Sequence, residues 1–404
     1  MSIQSTMSAK AATALPLALG LLALAGCRNH DFPEYPANYR EFAYVTNGAS
    51  NTVSVFDVVH VRLDREIQVG QNPTGATANP KRNEVYVVNS GSAQGNGSIS
   101  VIDTEKNAVV ATIPVHRQPY FLDVSPDGDT AYVANSGANS VSVIDLKTRR
   151  EIAVAGAGEG PGLARISPDG NTLVVTNRVG NSVSIFDAKQ PGSLRVRKVV
   201  EGCPGATDAV ILPDSSKAFV ACSSGRQIMA IALARNADAM GAARPDALEA
   251  MLNVGRSPVH LALKPDGGEL FVSNYDSNSI SEVVTSTDDV GGAYLMGSNP
   301  VRGLVSADNS LLYVSNFHSQ ELSIYSIDES KRLVLGSGTL GSGIHVGDGP
   351  DALAFSSGGR LLFAVDARSS DVAVIRTSTS SLFTLLPTGR LPNAIVVKAF
   401  RLAS

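Results

Sequence analysis

The sequence predicts an all-β chain folded as a β-propeller of four-stranded antiparallel blades, eight by count. Three observations carry this. A four-residue strand motif recurs at a nearly constant period. Each copy is flanked by the same turn chemistry. Gly (37) and Pro (20) are plentiful while charged residues make up only 17%, which suits many short strands joined by tight turns.

The motif is an aromatic or apolar residue, Val, a small residue, then Asn. It reads Tyr44-Val45-Thr46-Asn47, Tyr86-Val87-Val88-Asn89, Tyr132-Val133-Ala134-Asn135, Val174-Val175-Thr176-Asn177, Phe271-Val272-Ser273-Asn274 and Tyr313-Val314-Ser315-Asn316. Two degenerate copies are Phe219-Val220-Ala221-Cys222 and Phe363-Ala364-Val365-Asp366. Successive copies are 42, 46, 42, 45, 52, 42 and 50 residues apart, the period of four-stranded propeller blades. Before each copy after the first stand a Pro, about six mostly apolar residues and a turn, as in Pro119 to Ser125-Pro126-Asp127-Gly128. Pro presets φ, Asp caps the turn and Gly takes the φ > 0 position. After each copy runs an alternating segment such as Asn139–Asp145, a strand pattern. A fourth strand ends near Gly-x-x-Pro, as in Val254–Pro258.

The ends decide closure. The Tyr44 copy has no Pro-strand before it, and the last Pro-strand, Pro392–Lys398, has no copy behind it. Eight blades follow if Leu391–Phe400 supplies the inner strand of the first blade, which also removes two open sheet edges. Seven blades remain if a degenerate unit near Phe219 or Phe363 is an insertion. Two long units carry inserts, Ala234–Leu252 and Glu329–Gly349, and Pro245–Ala250 reads as the start of one helical turn.

These units resemble the YVTN-type β-propeller repeat family over residues 41–400. The resemblance implies the propeller fold but no single activity, since surface-layer proteins, periplasmic propellers, lactonase-like enzymes and the haem d1 domain of nitrite reductase are all related. Relatives of this type most often have seven blades. Quinone-dependent eight-bladed dehydrogenases use Trp-rich docking motifs, and this chain has no Trp.

The first residues read as a targeting segment. Lys10 precedes the apolar run Ala14–Ala25, which is too short to span a bilayer as a stable helix. The run ends in Leu24-Ala25-Gly26-Cys27, which resembles the lipobox of bacterial lipoproteins, where the Cys is acylated after cleavage before it. Residues 1–26 are thus the expected signal peptide, 27–40 a lipidated Cys27 with its tether, and 41–404 the propeller. Arg28 rather than Asp after the Cys favours, by the same resemblance, an outer-membrane lipoprotein, periplasmic or surface-exposed. Net charge is -4 with no basic run, so a nucleic-acid partner has little support.

In an antiparallel blade, the turns after strands one and three share one rim. The loop after strand two and the loop into the next blade share the other. The first rim is uniform Pro-Asp-Gly chemistry; the second varies and is the expected ligand face. Its repeated Asn residues read as caps of their own loops. Residues that break the repeat are better candidates: His116, Arg117 and Tyr120 at one blade start, His260 and Arg302 on inner strands, and Arg178, His318 and Arg368 after second strands. Together they suggest a mouth for an anionic ligand. His116, His260 and His318 lack any metal-ligand spacing, so no metal or cofactor is assigned. Asp123, Asp208 and Asp351 lie unpaired near inner strands. Cys203 and Cys222 fall at one rim of one blade, where a disulfide fits an oxidising compartment.

The expected function is a membrane-anchored binding scaffold for a protein, glycan or small anion. The alternatives are a lactonase-like hydrolase using His260, His116 and Arg302, and a carrier of haem d1 or a metal.

Overall fold

A computed structural model describes residues 35–233, 246–328, 330–333 and 343–402. Cys27, the signal segment, most of the first insert and about half of the second lie outside the described residues. The described chain forms eight antiparallel sheets of four strands arranged in a ring, an eight-bladed β-propeller. The degenerate units at Phe219 and Phe363 are complete blades.

Each sheet is buried on both faces by its neighbours, which explains why the second and third strands carry so little polarity. In the first blade Tyr44 packs towards Val85, Val87 and Ile102 of the second blade, and the next residue, Val45, packs towards Phe363 and Val372 of the eighth. The apolar core therefore divides into eight clusters, one between each adjacent pair of blades.

The first blade is built from both ends of the chain. The strand Tyr39–Asn47, here β1, pairs antiparallel with the last strand, Pro392–Arg401, from Tyr39↔Arg401 to Asn47↔Pro392. Leu402 N–H continues the ladder to the Asn38 carbonyl at 2.9 Å.

The repeated Asn has a different role from loop capping. Its side chain is buried at the end of the second strand and its Nδ2 donates across to the third strand. Asn177 donates to Ser182 at 3.0 Å and Ser184 at 2.9 Å, and Asn47, Asn89, Asn135 and Asn274 repeat this with Ser or Thr hydroxyls. The Gly of Gly-x-x-Pro lies over this amide. A Cβ on Gly70 would come within 2.6 Å of Asn89, and one on Gly255 within 2.5 Å of Asn274. Glycine is there to let the incoming loop seal the buried amide.

In the fifth blade Cys203 occupies that glycine slot and Cys222 the Asn slot. They form a disulfide with Cα atoms 4.9 Å apart, so a covalent link replaces the Gly–Asn contact. The one helical turn expected at Pro245–Ala250 is absent where described: Ala247–Asn253 is the outer strand of that blade. Pairing with Gln227–Ala232 overrides the local helix-start signal. In the seventh blade the outer strand is split into Lys331–Leu333 and Ile344–His345.

Two outcomes follow. Removing residues 391–404 abolishes cooperative unfolding of the whole ring rather than trimming a tail, as read by thermal melting. Asn177→Ala leaves two hydroxyls without their donor and costs about 1–3 kcal/mol, measured by urea denaturation.

Candidate functional site: the mouth of the central channel

The eight inner strands line a central channel, and most of their polar groups are bonded from blade to blade. Asn393 Nδ2 donates to the Pro73 carbonyl at 2.9 Å, Thr77 to the Leu122 carbonyl at 2.8 Å, and Ser315, from a second strand, to the Asp351 carbonyl at 2.8 Å. Asp123 accepts the Ile166 N–H at 3.1 Å, and Asp208 the Leu261 N–H at 2.9 Å.

His260 belongs to this stitching. Its Nδ1 accepts the Gly303 N–H at 3.2 Å, which leaves the ring proton on Nε2, 3.7 Å from Asp208 Oδ2. Burial is the main force holding the ring neutral. Arg302 and Arg165 add to it and Asp208 opposes it, with the result that the pKa falls to about 4. With Nδ1 occupied and Nε2 protonated, the imidazole has no free lone pair with which to take a proton.

Ionic groups of the wall also pair across blades. Arg165 Nη1 lies 3.6 Å from Asp123, and Arg302 Nε lies 3.7 Å from Asp351. Arg165 also stacks 5.0 Å above the Phe121 ring. Burial raises the pKa of Asp123 and of Asp351, and the facing arginine opposes it in each case. The three acids that look unpaired in the sequence are therefore partnered from an adjacent blade, Asp123 and Asp208 by the following one and Asp351 by the preceding one.

At the variable rim the channel opens into a cavity of 670 Å³ whose wall includes Tyr120, Phe121, Arg165, Arg178, His260 and Arg302. A second cavity of 550 Å³ continues along the channel past His260 and Arg302 to Pro265. Tyr120 is 50% exposed. Arg178 follows the second strand of the fourth blade, and among the described residues no carboxylate pairs with it. The loops of this rim carry Arg178, Arg226, Arg256, Arg368 and Arg390 against Glu159, Asp276 and Asp348. The loops themselves thus carry more arginine than acid, while the strand ends beneath them add Glu201, Glu321, Asp366 and Asp371.

Four of the eight sequence candidates thus line one cavity: Tyr120, Arg178, His260 and Arg302. His318 and Arg368 form a separate exposed cluster on the same rim. Arg368 bonds His318 Nε2 at 2.8 Å and stacks 4.6 Å over Phe317, while the Tyr275 hydroxyl lies 3.5 Å from His318 Nδ1. His116 and Arg117 lie at the end of an outer strand, where His116 faces Glu151 at 3.4 Å. The three histidines therefore stand apart, and among the described residues no three His, Cys, Asp or Glu side chains are placed to hold a metal ion.

Sequence reasoning overlooked Arg165, Phe121 and the equivalence of Asp208 with His260 and Arg302. The last was legible by counting from the Asn slot: Ala206 pairs with Cys222 as Pro258 pairs with Asn274. Counting from Pro hid it, because that unit has Ala206 in place of the proline.

Comparison with known proteins supports the fold. Dihydro-haem d1 dehydrogenase NirN, solved in complex with DHE, superposes with a TM-score of 0.70 at 15% identity, covering 90% of this chain and 76% of that one. A putative 6-phosphogluconolactonase from Bacteroides uniformis gives 0.60 at 15%, covering 89% and 100%. Kuenenia stuttgartiensis hydrazine synthase gives 0.56 at 22%, covering 70% and 91%. No protein-family model matches the chain. No curated protein matches it either.

One outcome is specific to the pinned imidazole. Its folded pKa lies below the ordinary value of 6.5. Its contribution to stability is therefore complete above about 6.5 and is lost as pH falls towards about 4. Ring-nitrogen NMR should show His260 neutral, with the proton on Nε2, from about pH 5 to about pH 8.

Proposed function

We propose that this chain is a non-catalytic binding propeller of the cell envelope, of the YVTN-repeat type, held to a membrane by acyl chains on Cys27 and taking an anionic ligand at its arginine-bearing mouth. One observation carries the ligand reading: Arg165, Arg178 and Arg302 converge on one cavity, and Arg178 has no carboxylate partner among the described residues. Guanidinium groups suit carboxylate and phosphate because their planar fork makes two parallel bonds. The half-exposed Tyr120 adds an apolar face, which fits an organic anion better than a bare inorganic one.

The hydrolase reading has less behind it. Its intended base, His260, is bonded to a backbone N–H and neutral, and His116 faces an outer strand. The carrier reading is weakened by the separation of the histidines. The disulfide between Cys203 and Cys222 supports export, since such links persist in oxidising compartments. Lipidation rests on the sequence around Cys27 alone.

Titration calorimetry with a panel of carboxylated and phosphorylated sugars tests the mouth. Arg178→Ala is expected to weaken binding about tenfold or more, and binding should fall as salt rises. An unchanged affinity in Arg178→Ala and Arg302→Ala would refute the site. Separately, Cys27→Ser should move the expressed protein from the membrane fraction to the soluble one, with intact-mass measurement checking for acylation.

A further inference from the structure

The eighth blade breaks the Asn–hydroxyl lock at all of its polar positions. Asp366 takes the Asn slot, Asp371 the slot of the first hydroxyl and Ala373 that of the second. Asp366 is fully buried, with a relative exposure of 0%. Its Oδ2 accepts the Gly347 N–H at 3.0 Å. Its Oδ1 and the Oδ1 of Asp371 are both shielded from solvent, and neither has a donor in hydrogen-bond geometry; the Ala373 N–H, which approaches the Asp366 carboxyl, only partly offsets the effect of burial. The two residues are direct cross-strand partners. In six blades an Asn amide NH2 fills this gap and in the fifth a disulfide closes it; here two acceptors face each other. Two carboxylates in such contact cannot both be ionised without strong repulsion.

We propose that Asp366 and Asp371 share one proton, and that this proton closes the rim end of the eighth blade. What it closes is specific. The Ser370 N–H bonds the Asp366 carbonyl at 3.0 Å, and the turn 367–370 is tied to the incoming loop by Arg368 N–H to the Asp348 carbonyl at 3.0 Å and Asp348 N–H to Ser369 Oγ at 2.9 Å. Arg368 in turn holds His318 of the seventh blade. When the proton leaves, two negative charges lie beneath these loops.

The other groups facing the pair do not supply the missing positive charge. The cross-strand partners on either side, Pro350 on the inner strand and Pro387 on the outer, are uncharged. The incoming loop adds the Asp348 carboxylate. The guanidinium of Arg368 lies 3.9 Å from that carboxylate and 2.8 Å from His318. Burial first and Asp371 second push the Asp366 carboxyl up to about 8. The folded state thus retains a proton that the unfolded chain releases near 4, the ordinary range for Asp. Stability attributable to this group falls as pH rises through that window and levels off above about 8.

The test needs no ligand and stands apart from the proposed binding site. Carbonyl 13C NMR of aspartate-labelled protein should show one carboxyl titrating near 8, absent from Asp366→Asn. The variant restores an amide donor, now aimed at the Asp371 carboxylate. Its melting temperature should exceed that of wild type by a margin that grows from about pH 5 to about pH 8 and then stays constant. Amide exchange at 367–370 should quicken above that point in wild type only. Two results overturn the proposal. One is that every aspartate is ionised by about pH 6 in the wild-type titration, a reading that needs no variant to fold. The other is that calcium raises the wild-type melting temperature at alkaline pH and not that of Asp366→Asn, which would put a cation, not a proton, between the oxygens.

Discussion

The pairing of β1 with the last strand is the constraint on which the rest of the structure depends. Every blade is apolar on both faces, so every blade needs two neighbours. An open row of eight would leave two faces in water, each rich in Val, Ile and Tyr. Closure through the chain's own ends removes both faces together and leaves the first blade unable to form until its final strand arrives. Contacts between residues such as Tyr39 and Arg401 span nearly the whole of the described chain. Loop-closure entropy must be met before those contacts give anything back, so the ring is expected to form late and as a unit.

Within that frame the repeat is a device for burying an amide. The second strand ends in Asn, the third begins with hydroxyls, and the incoming glycine lies over both. Such a lock holds the rim end of each blade without exposing a strand edge. Its exceptions are instructive because they preserve the function by other chemistry. In the fifth blade a disulfide joins the glycine slot to the Asn slot directly. In the eighth, two carboxyls stand where an amide and a hydroxyl stand elsewhere. A blade can change how it is fastened, but each must be fastened there.

The fold was legible in the sequence because it is periodic. Tyr44-Val45-Thr46-Asn47 and its copies mark second strands, and counting both chain ends gives eight blades and the closing strand. The site was less legible because it is made between repeats. Arg165 meets Asp123, His260 meets Asp208 and Arg302 meets Asp351 only when adjacent inner strands are laid side by side. A β-bulge after the proline position shifts the register there, so sequence offset alone misplaces side chains across strands. His116 and Arg117 stood out as irregular, yet the extended outer strand Ala108–Arg117 carries them away from the channel. Ala247–Asn253 misled in the opposite sense. Its Pro-Asp opening looks like a helix start, but an outer strand has only one partner to satisfy and tolerates that composition.

The stitching of the channel also narrows where recognition can occur. Asp123, Asp208 and His260 are bonded to backbone N–H groups of the next blade, so a ligand that claimed them would unpick the wall. Arg302 is freer but must leave the orbit of Asp351, whose burial already disfavours its charge. Arg178 gives up no ion pair among the described residues on meeting an anion. The energetic order at the mouth is therefore set by prior partnership rather than by position. Arg178 should dominate affinity, Arg302 should add to it in proportion to how far Asp351 can be neutralised, and Arg165, held by Asp123 and Phe121, should chiefly shape the cavity. On the proposed binding reading, selectivity would then come from the fit of a ligand's apolar body against Tyr120, since the charges alone would accept many anions.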